Sequence, residues 1–258
     1  MLEKFSVYMT SFQQERYVRV YLPENYGNTD KRYPVLYIHD GQNVFEDEDA
    51  LKGVSLRLKD YLEQTKWELI VVGIDLNPEG EERINEYCPW KHGELSRQIL
   101  GYESTAGGNG EAYLDFIVHE LKPLIDRKYR TLSYETAMAG ISLGGLITTY
   151  AACRYPHLFK KIAVLSPAYF RNQEEIENLI QQSDLSSIEK FYMDIGTNEV
   201  PGDDVSSKLF LDLSKRVFDL LDNQIEDAKF QQIEKAEHHY SFFKERIPNI
   251  FTYLFSEE

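Results

Sequence analysis

The strongest chemical signal in the chain is the run Gly140-Ile141-Ser142-Leu143-Gly144. A β-type run precedes it at 136–139 and a helical run follows at 143–155. That context reads as a serine hydroxyl lifted out at a sharp strand-to-helix turn, where bulky flanking side chains would collide. The helix N-terminus behind the serine adds positive potential where an oxyanion would form. The chemistry implied is nucleophilic attack on an acyl carbon through the serine oxygen.

A serine hydroxyl needs a base to take its proton, and a strand-turn-helix nucleophile is followed along the chain by an acid and then a histidine. The histidines after Ser142 are His157, His238 and His239. His157 sits just past the helix that follows the serine and reads as a helix-end residue. The His238-His239 pair falls between the last strand and the last helix, where a general base is expected. The acid belongs at the end of the preceding strand, which closes in Thr197-Asn198-Glu199. Glu199 is the choice and Asp203 its main rival, while Asp194 lies within the strand and reads as structural. An oxyanion hole needs two backbone donors. Leu143, directly after the serine, supplies one. The loop His39-Asp40-Gly41-Gln42-Asn43 supplies the other, with the Gln42 amide first and Asn43 second. His39 and Asp40 themselves read as structural, because they end a buried strand and open a tight turn.

These residues need strands to carry them. Residues 5–10 and 16–22 alternate apolar and polar side chains, as half-buried antiparallel strands do. Residues 34–39 and 69–74 are continuous apolar runs, as strands buried on both faces require. Further strands are predicted at 136–140, 162–165, 191–196 and near 230–233, with helices at 54–62, 143–155, about 206–223 and 242–255. This alternation predicts one α/β domain over 1–258: a mostly parallel sheet with antiparallel strands at its N-terminal edge and helices on both faces. Ligands in such sheets bind beyond the carboxyl ends of the strands. Residues 77–108 lack periodicity and read as a long ordered loop walling the site, with Tyr87 and Trp90 as pocket-lining candidates and Asn43 as a third.

Composition narrows the function classes. The hydrophobic fraction is 42% and the aromatic fraction 13%, enough for a large core rather than a disordered chain. Twenty-eight basic against 43 acidic residues give a net charge of −15, which argues against nucleic acid and anionic membranes as partners. The two cysteines, Cys88 and Cys153, exclude a disulfide scaffold and suit a reducing, cytoplasmic setting. No signal-type or membrane-spanning apolar stretch is present in the sequence. Other motifs fail. His119-Glu120 opens like a zinc-protease helix, but Pro123 stands where the second histidine belongs; Gly107-Gly108-Asn109-Gly110 lacks the Lys-Ser/Thr of a phosphate loop. No metal or organic cofactor is required, and homo-oligomerisation is left open.

Taken together, the residues resemble the esterases of the esterase D and enterochelin-esterase type, within the α/β-hydrolase superfamily. The resemblance spans nearly the whole chain. It includes residues 37–45, Arg83 with Glu86-Tyr87-Cys88-Pro89-Trp90, Gly107-Gly108 with Tyr113-Leu114-Asp115-Phe116, the bend at Ser142, Ser166-Pro167-Ala168, Gly196-Thr197-Asn198-Glu199 and His238. It implies an α/β-hydrolase fold and a serine carboxylic-ester hydrolase acting on a small-molecule ester. It also implies His238 as the base, with Phe243 at the family's aromatic position. Ala236 and Glu237 stand where relatives carry glycine, and Glu199 where several carry Asp. Acyl transfer to an alcohol, as in the mycolyl transferases of this fold, is the alternative enzymatic reading. A non-catalytic binding protein is the alternative of another class.

Overall fold

The computed structural model describes residues 1–256. The strands are β1 (Leu2–Met9), β2 (Gln14–Tyr21), β3 (Tyr33–His39), β4 (Ile70–Ile74), β5 (Thr131–Ile141), β6 (Lys161–Leu165), β7 (Lys190–Gly196) and β8 (Ala228–Ile233). They form one sheet in the order β1-β2-β4-β3-β5-β6-β7-β8. β1 pairs antiparallel with β2, and β2 antiparallel with β4; every other pairing is parallel. This is the mixed α/β sheet the alternation predicts.

The period of two in the central strands explains why they read as continuous apolar runs. Tyr33, Val35 and Tyr37 of β3 enter one core, while Leu36 and Ile38 enter another on the opposite face. β4 divides in the same way, with Ile70, Val72 and Ile74 against Val71, and β6 likewise, with Ile162 and Val164 against Ala163 and Leu165. Both faces are covered, so neither can be polar.

The α-helices among the described residues are α1 (Leu58–Thr65), α2 (Glu82–Tyr87), α3 (Glu94–Leu100), α4 (Gly110–Asp115), α5 (Lys122–Lys128), α6 (Leu143–Arg154), α7 (Gln173–Gln182), α8 (Asp204–Asp222) and α9 (Tyr240–Phe255). Leu58 and Leu62 of α1 and Phe243, Ile247, Ile250, Phe251 and Leu254 of α9 seal one face. Helices α4 to α8 seal the other. Eleven of the twelve residues of α6 are buried, so this helix has no polar face to turn to water and lies as a central strut under the bend that carries Ser142.

Three departures from the sequence-based expectation have physical causes. The segment 77–108 is not one loop: it folds into the short helices α2 and α3, each too brief to show a period. β5 begins at Thr131 rather than at 136, because the exposed run Ser133, Tyr134 and Glu135 separates its first two residues from the apolar stretch that follows. Helices α4, α5 and α7 lie outside the helix ranges read from the sequence. The first two belong to one helical run interrupted by a π-helical turn at Phe116–Leu121, with Pro123, which has no N–H to donate, at the start of α5.

Candidate active site

The site is assembled by the carboxyl ends of successive strands. β3 ends at His39 and leads into the turn Gly41–Asn43. β5 ends at Ile141 and leads into Ser142. β7 leads to Glu199, and β8, after a short loop, to His238. β3 and β5 are neighbours, so the turn and the serine share one crevice: a Cβ placed on Gly144 would come within 3.3 Å of His39 and 3.6 Å of Asp40.

Ser142 has φ 60° and ψ −121°, a left-handed conformation that a non-glycine residue adopts only when its surroundings impose it. Here the restraint is visible. Ser142 N donates to Leu165 O at 3.0 Å, and Ser142 O accepts from Gly145 N and Ala168 N. Gly140 is pressed against the carbonyl of Gly144, where a Cβ would lie 2.1 Å from its oxygen. Two covalently linked turns can be this close only without side chains between them. Ser142 is half-buried, and among the described residues no hydrogen bond occupies its hydroxyl.

Glu199 and His238 come together. His238 Nδ1 lies 2.6 Å from Glu199 Oε2; the imidazole is exposed at the site and the carboxylate is buried. Glu199 Oε1 accepts from the Gly196 amide at 2.6 Å and from Ser166 Oγ at 2.5 Å. Burial by itself would raise the Glu199 pKa, but the hydrogen bonds from His238, Ser166 and Gly196 hold it below the ordinary value. An ionised carboxylate on Nδ1 fixes the neutral imidazole in the Nδ1–H tautomer and leaves Nε2 as the free base. The edge of the His238 ring meets Phe243 at a centroid distance of 5.3 Å. Ala236 and Glu237 accommodate the loop without glycine, because the left-handed residue there is Lys235, φ 59°. It is Gly196 that must be small: a Cβ would lie 2.2 Å from Ala236 O and 2.8 Å from Glu199 Oε1.

Asp203 is not brought to His238. It caps the N-terminus of α8, accepting from Ser206 N at 3.0 Å and Ser206 Oγ at 2.6 Å. His239 caps α9 in the same manner, through Ser241 N, and His157 is exposed. Leu143 is the first residue of α6, so its amide is one of the orphan donors of a helix start. Asn43 N is committed to Asp40 O at 2.8 Å, which removes it as an oxyanion donor and leaves the Gln42 amide as the candidate of that turn. The Asn43 side chain bonds Tyr240 OH and Leu51 N instead.

His39 and Asp40 do not pair with each other. His39 Nδ1 lies 2.9 Å from Tyr113 OH, and burial pulls its pKa down to about 4. Asp40 is gripped by Arg83 through both carboxylate oxygens, at 2.8 and 2.7 Å. Tyr87 is a correction: it is fully buried between His39 and Tyr113, its hydroxyl accepting from Asp40 N, so it anchors the turn and lines no open pocket. Trp90 packs edge-on against Tyr150 at 5.3 Å and is only partly buried. Ser166, Arg246 and Tyr240 also border these groups; Ser166 follows the end of β6, and that position is the signal the sequence offers.

A cleft of about 1130 Å³ opens at the amino ends of the strands among Lys31, Lys66, Trp67, Lys161 and Phe255, and contains none of these groups. Among the described residues no cluster of three or more metal-ligating side chains exists, and no helix is long and apolar enough to cross a membrane.

Residues 9–254 match the family described as "Putative esterase". The chain belongs to that family and is a carboxylic-ester hydrolase. It is 29% identical over 247 residues to the uncharacterized protein YbbA of Bacillus subtilis (strain 168), covering 92% of each chain. It is 25% identical over 143 residues to the ferri-bacillibactin esterase BesA of the same organism, covering 55% of this chain and 50% of BesA. In fold it is similar to an IroE-like serine hydrolase from Shewanella oneidensis, with a TM-score of 0.77, 20% identity, and coverage of 97% of this chain and 79% of that one.

Proposed function

We propose that Ser142, His238 and Glu199 hydrolyse a small carboxylic ester through an acyl-enzyme. The observation that carries this reading is the 2.6 Å contact of Glu199 with His238 Nδ1, which leaves Nε2 as a base, in a chain whose serine is held at φ 60° at the head of α6. Ser142 Oγ attacks the ester carbonyl carbon as its proton passes to His238 Nε2. The carbonyl oxygen becomes an oxyanion facing the Leu143 and Gln42 amides. Collapse of the tetrahedral species breaks the bond to the alkoxy oxygen, which leaves with the proton from His238. Water then attacks the acyl-enzyme with His238 again as base, releasing the carboxylic acid and restoring Ser142. Every proton is returned, so the cycle needs no cofactor.

Ser142→Ala is the test. Hydrolysis of p-nitrophenyl acetate is expected to fall by at least about 10³-fold with an unchanged circular-dichroism spectrum. A fluorophosphonate probe should label the native protein and spare the variant. Activity retained in Ser142→Ala would overturn the assignment. An excess of alcohol acceptor in the same assay separates hydrolysis from acyl transfer by the product formed.

A further inference from the structure

Behind Glu199 lies a buried polar chain that the reaction does not call for. Ser166 Oγ, 2.5 Å from Glu199 Oε1, is also 3.1 Å from Arg246 Nη1. Arg246 Nη1 in turn donates to Asp194 Oδ1 at 2.7 Å, and Asp194 Oδ2 lies 3.0 Å from Tyr192 OH. Ser166, Arg246, Asp194 and Tyr192 are all at least nine-tenths buried. The residues come from the residue after β6, from β7 and from α9, the elements around the acid. Arg246 also lies against the ring of Phe243, 4.9 Å from its centroid, the same ring that His238 meets edge-on.

The direction of this chain is fixed by chemistry. A guanidinium only donates, so Ser166 must accept from Arg246 and has one proton left to give. Among the described residues, the only other partner of that hydroxyl is Glu199 Oε1. Arginine therefore aims the serine proton at the carboxylate. With the Gly196 amide on the same oxygen, Glu199 has one free oxygen to offer, and that oxygen faces His238. Ser166 adopts φ 42°, where glycine would be less strained, so the backbone gives no reason for a side chain at this position. A buried cation held by a buried anion is not needed for stability either; apolar residues of similar volume commonly serve as well or better.

We infer that Asp194, Arg246 and Ser166 form a buried positioning chain that orients Glu199 toward His238. The inference rests on the reading of Glu199 and His238 as the acid and base of the site. All three are buried behind Glu199, so they are positioning residues, and what they control is how well His238 is held. The charged and titratable groups facing Glu199 and Arg246 are His238, Asp194 and Tyr192. Burial pushes the Asp194 carboxyl up to about 6 against the pull of Arg246.

The experiment is a double-mutant cycle between Ser166→Gly and Glu199→Ala, read as kcat and KM on p-nitrophenyl acetate, with thermal melting of every variant. Ser166→Gly is expected to lower kcat by about 10- to 100-fold, with KM within about twofold, while melting no earlier than the native protein. In the Glu199→Ala background the same substitution is expected to cost less than about twofold, because there is no carboxylate left to aim. Undiminished kcat in Ser166→Gly, or an equal loss in both backgrounds, would overturn the inference. Ser166→Ala, which restores the Cβ but not the hydroxyl, should match Ser166→Gly; a recovery of kcat would assign the position to packing. The low-field proton resonance of His238 Nδ1–H gives a readout free of turnover. It should shift or broaden in Ser166→Gly, and a resonance unchanged between the two proteins counts against the chain. Should Ser142→Ala stay active, the esterase assignment fails by itself, and the resonance still decides this inference.

Discussion

Glu199 and His238 reach one another because β7 and β8 are parallel neighbours, with Gly196 level with Ile233 at their carboxyl ends. The two loops then share the space that a side chain on Gly196 would take: Asn198 N donates to Ala236 O at 3.1 Å. The 2.6 Å contact is thus set by strand register as much as by the attraction of the two groups. Glu199→Gln preserves volume and removes the charge. It is expected to lower kcat by about 10³- to 10⁴-fold on p-nitrophenyl acetate, since an amide donor facing Nδ1 favours the wrong tautomer. A loss of tenfold or less would mean that another group orients the imidazole.

A separate prediction concerns His39, which is buried and held neutral. Its pKa is near 4 in the fold against an ordinary 6.5, so the unfolded chain binds the extra proton first. The associated stability is fully present above pH 6.5 and is lost as the pH falls toward 4. The gap corresponds to about 3 kcal/mol. His39→Gln cannot titrate in this range and can still bond Tyr113. Urea denaturation at pH 7, 5.5 and 4.5 should show a shallower decline for the variant, and parallel declines would refute the prediction.

Much of this was legible in the sequence, for identifiable reasons. The bend at Ser142 is legible because its geometry excludes a side chain at Gly140, where a Cβ would lie 2.1 Å from Gly144 O, and that exclusion is written in the residue type. The buried central strands were legible because both faces are apolar. The sequence places the candidate acid and base at strand ends and favours Glu199 over Asp203, but both are carboxylates in one loop, and it takes the local fold to show Asp203 as a helix cap. Arg246 was not legible at all. It is one charged residue in a helix whose other inward positions are apolar, and its partners lie 52 and 80 residues away along the chain. Tyr87 misled because an aromatic in an aperiodic segment looks like a pocket wall until the burial of its ring is known.

The glycines of the bend should separate in their tolerance. At Gly140 a Cβ would meet backbone, 2.1 Å from Gly144 O, and neither partner can yield without opening the turn. Gly140→Ala is expected to cost at least about 4 kcal/mol, seen as insoluble protein or a sharply lowered melting temperature. At Gly144 the nearest atom is the His39 Cβ at 3.3 Å, a side-chain contact that a few tenths of an ångström relieves. Gly144→Ala should fold, with a cost of about 1 kcal/mol. Equal melting temperatures for the two variants would contradict this account of the bend.

The last prediction separates stability from rate at Asp40. This residue is left-handed, φ 58°, and immediately precedes the turn that presents the Gln42 amide. Its conformation is held at every polar group. Arg83 takes both carboxylate oxygens, Tyr87 OH caps the amide, and Asn43 N takes the carbonyl. Arg83→Met strands a buried carboxylate, which costs about 3–5 kcal/mol. It should also loosen the turn, lowering kcat by about 10- to 100-fold. Adding Asp40→Asn removes the stranded charge, so the double variant should regain most of the melting temperature. It cannot regain the two-pronged grip, so kcat should stay low. Arg83→Lys keeps the cation but only as a point charge, and should fall between the native enzyme and Arg83→Met in kcat while melting close to the native value. Recovery of kcat together with stability in the Asp40→Asn, Arg83→Met protein would show that the pair serves folding alone, and that the turn keeps the Gln42 amide in place without it.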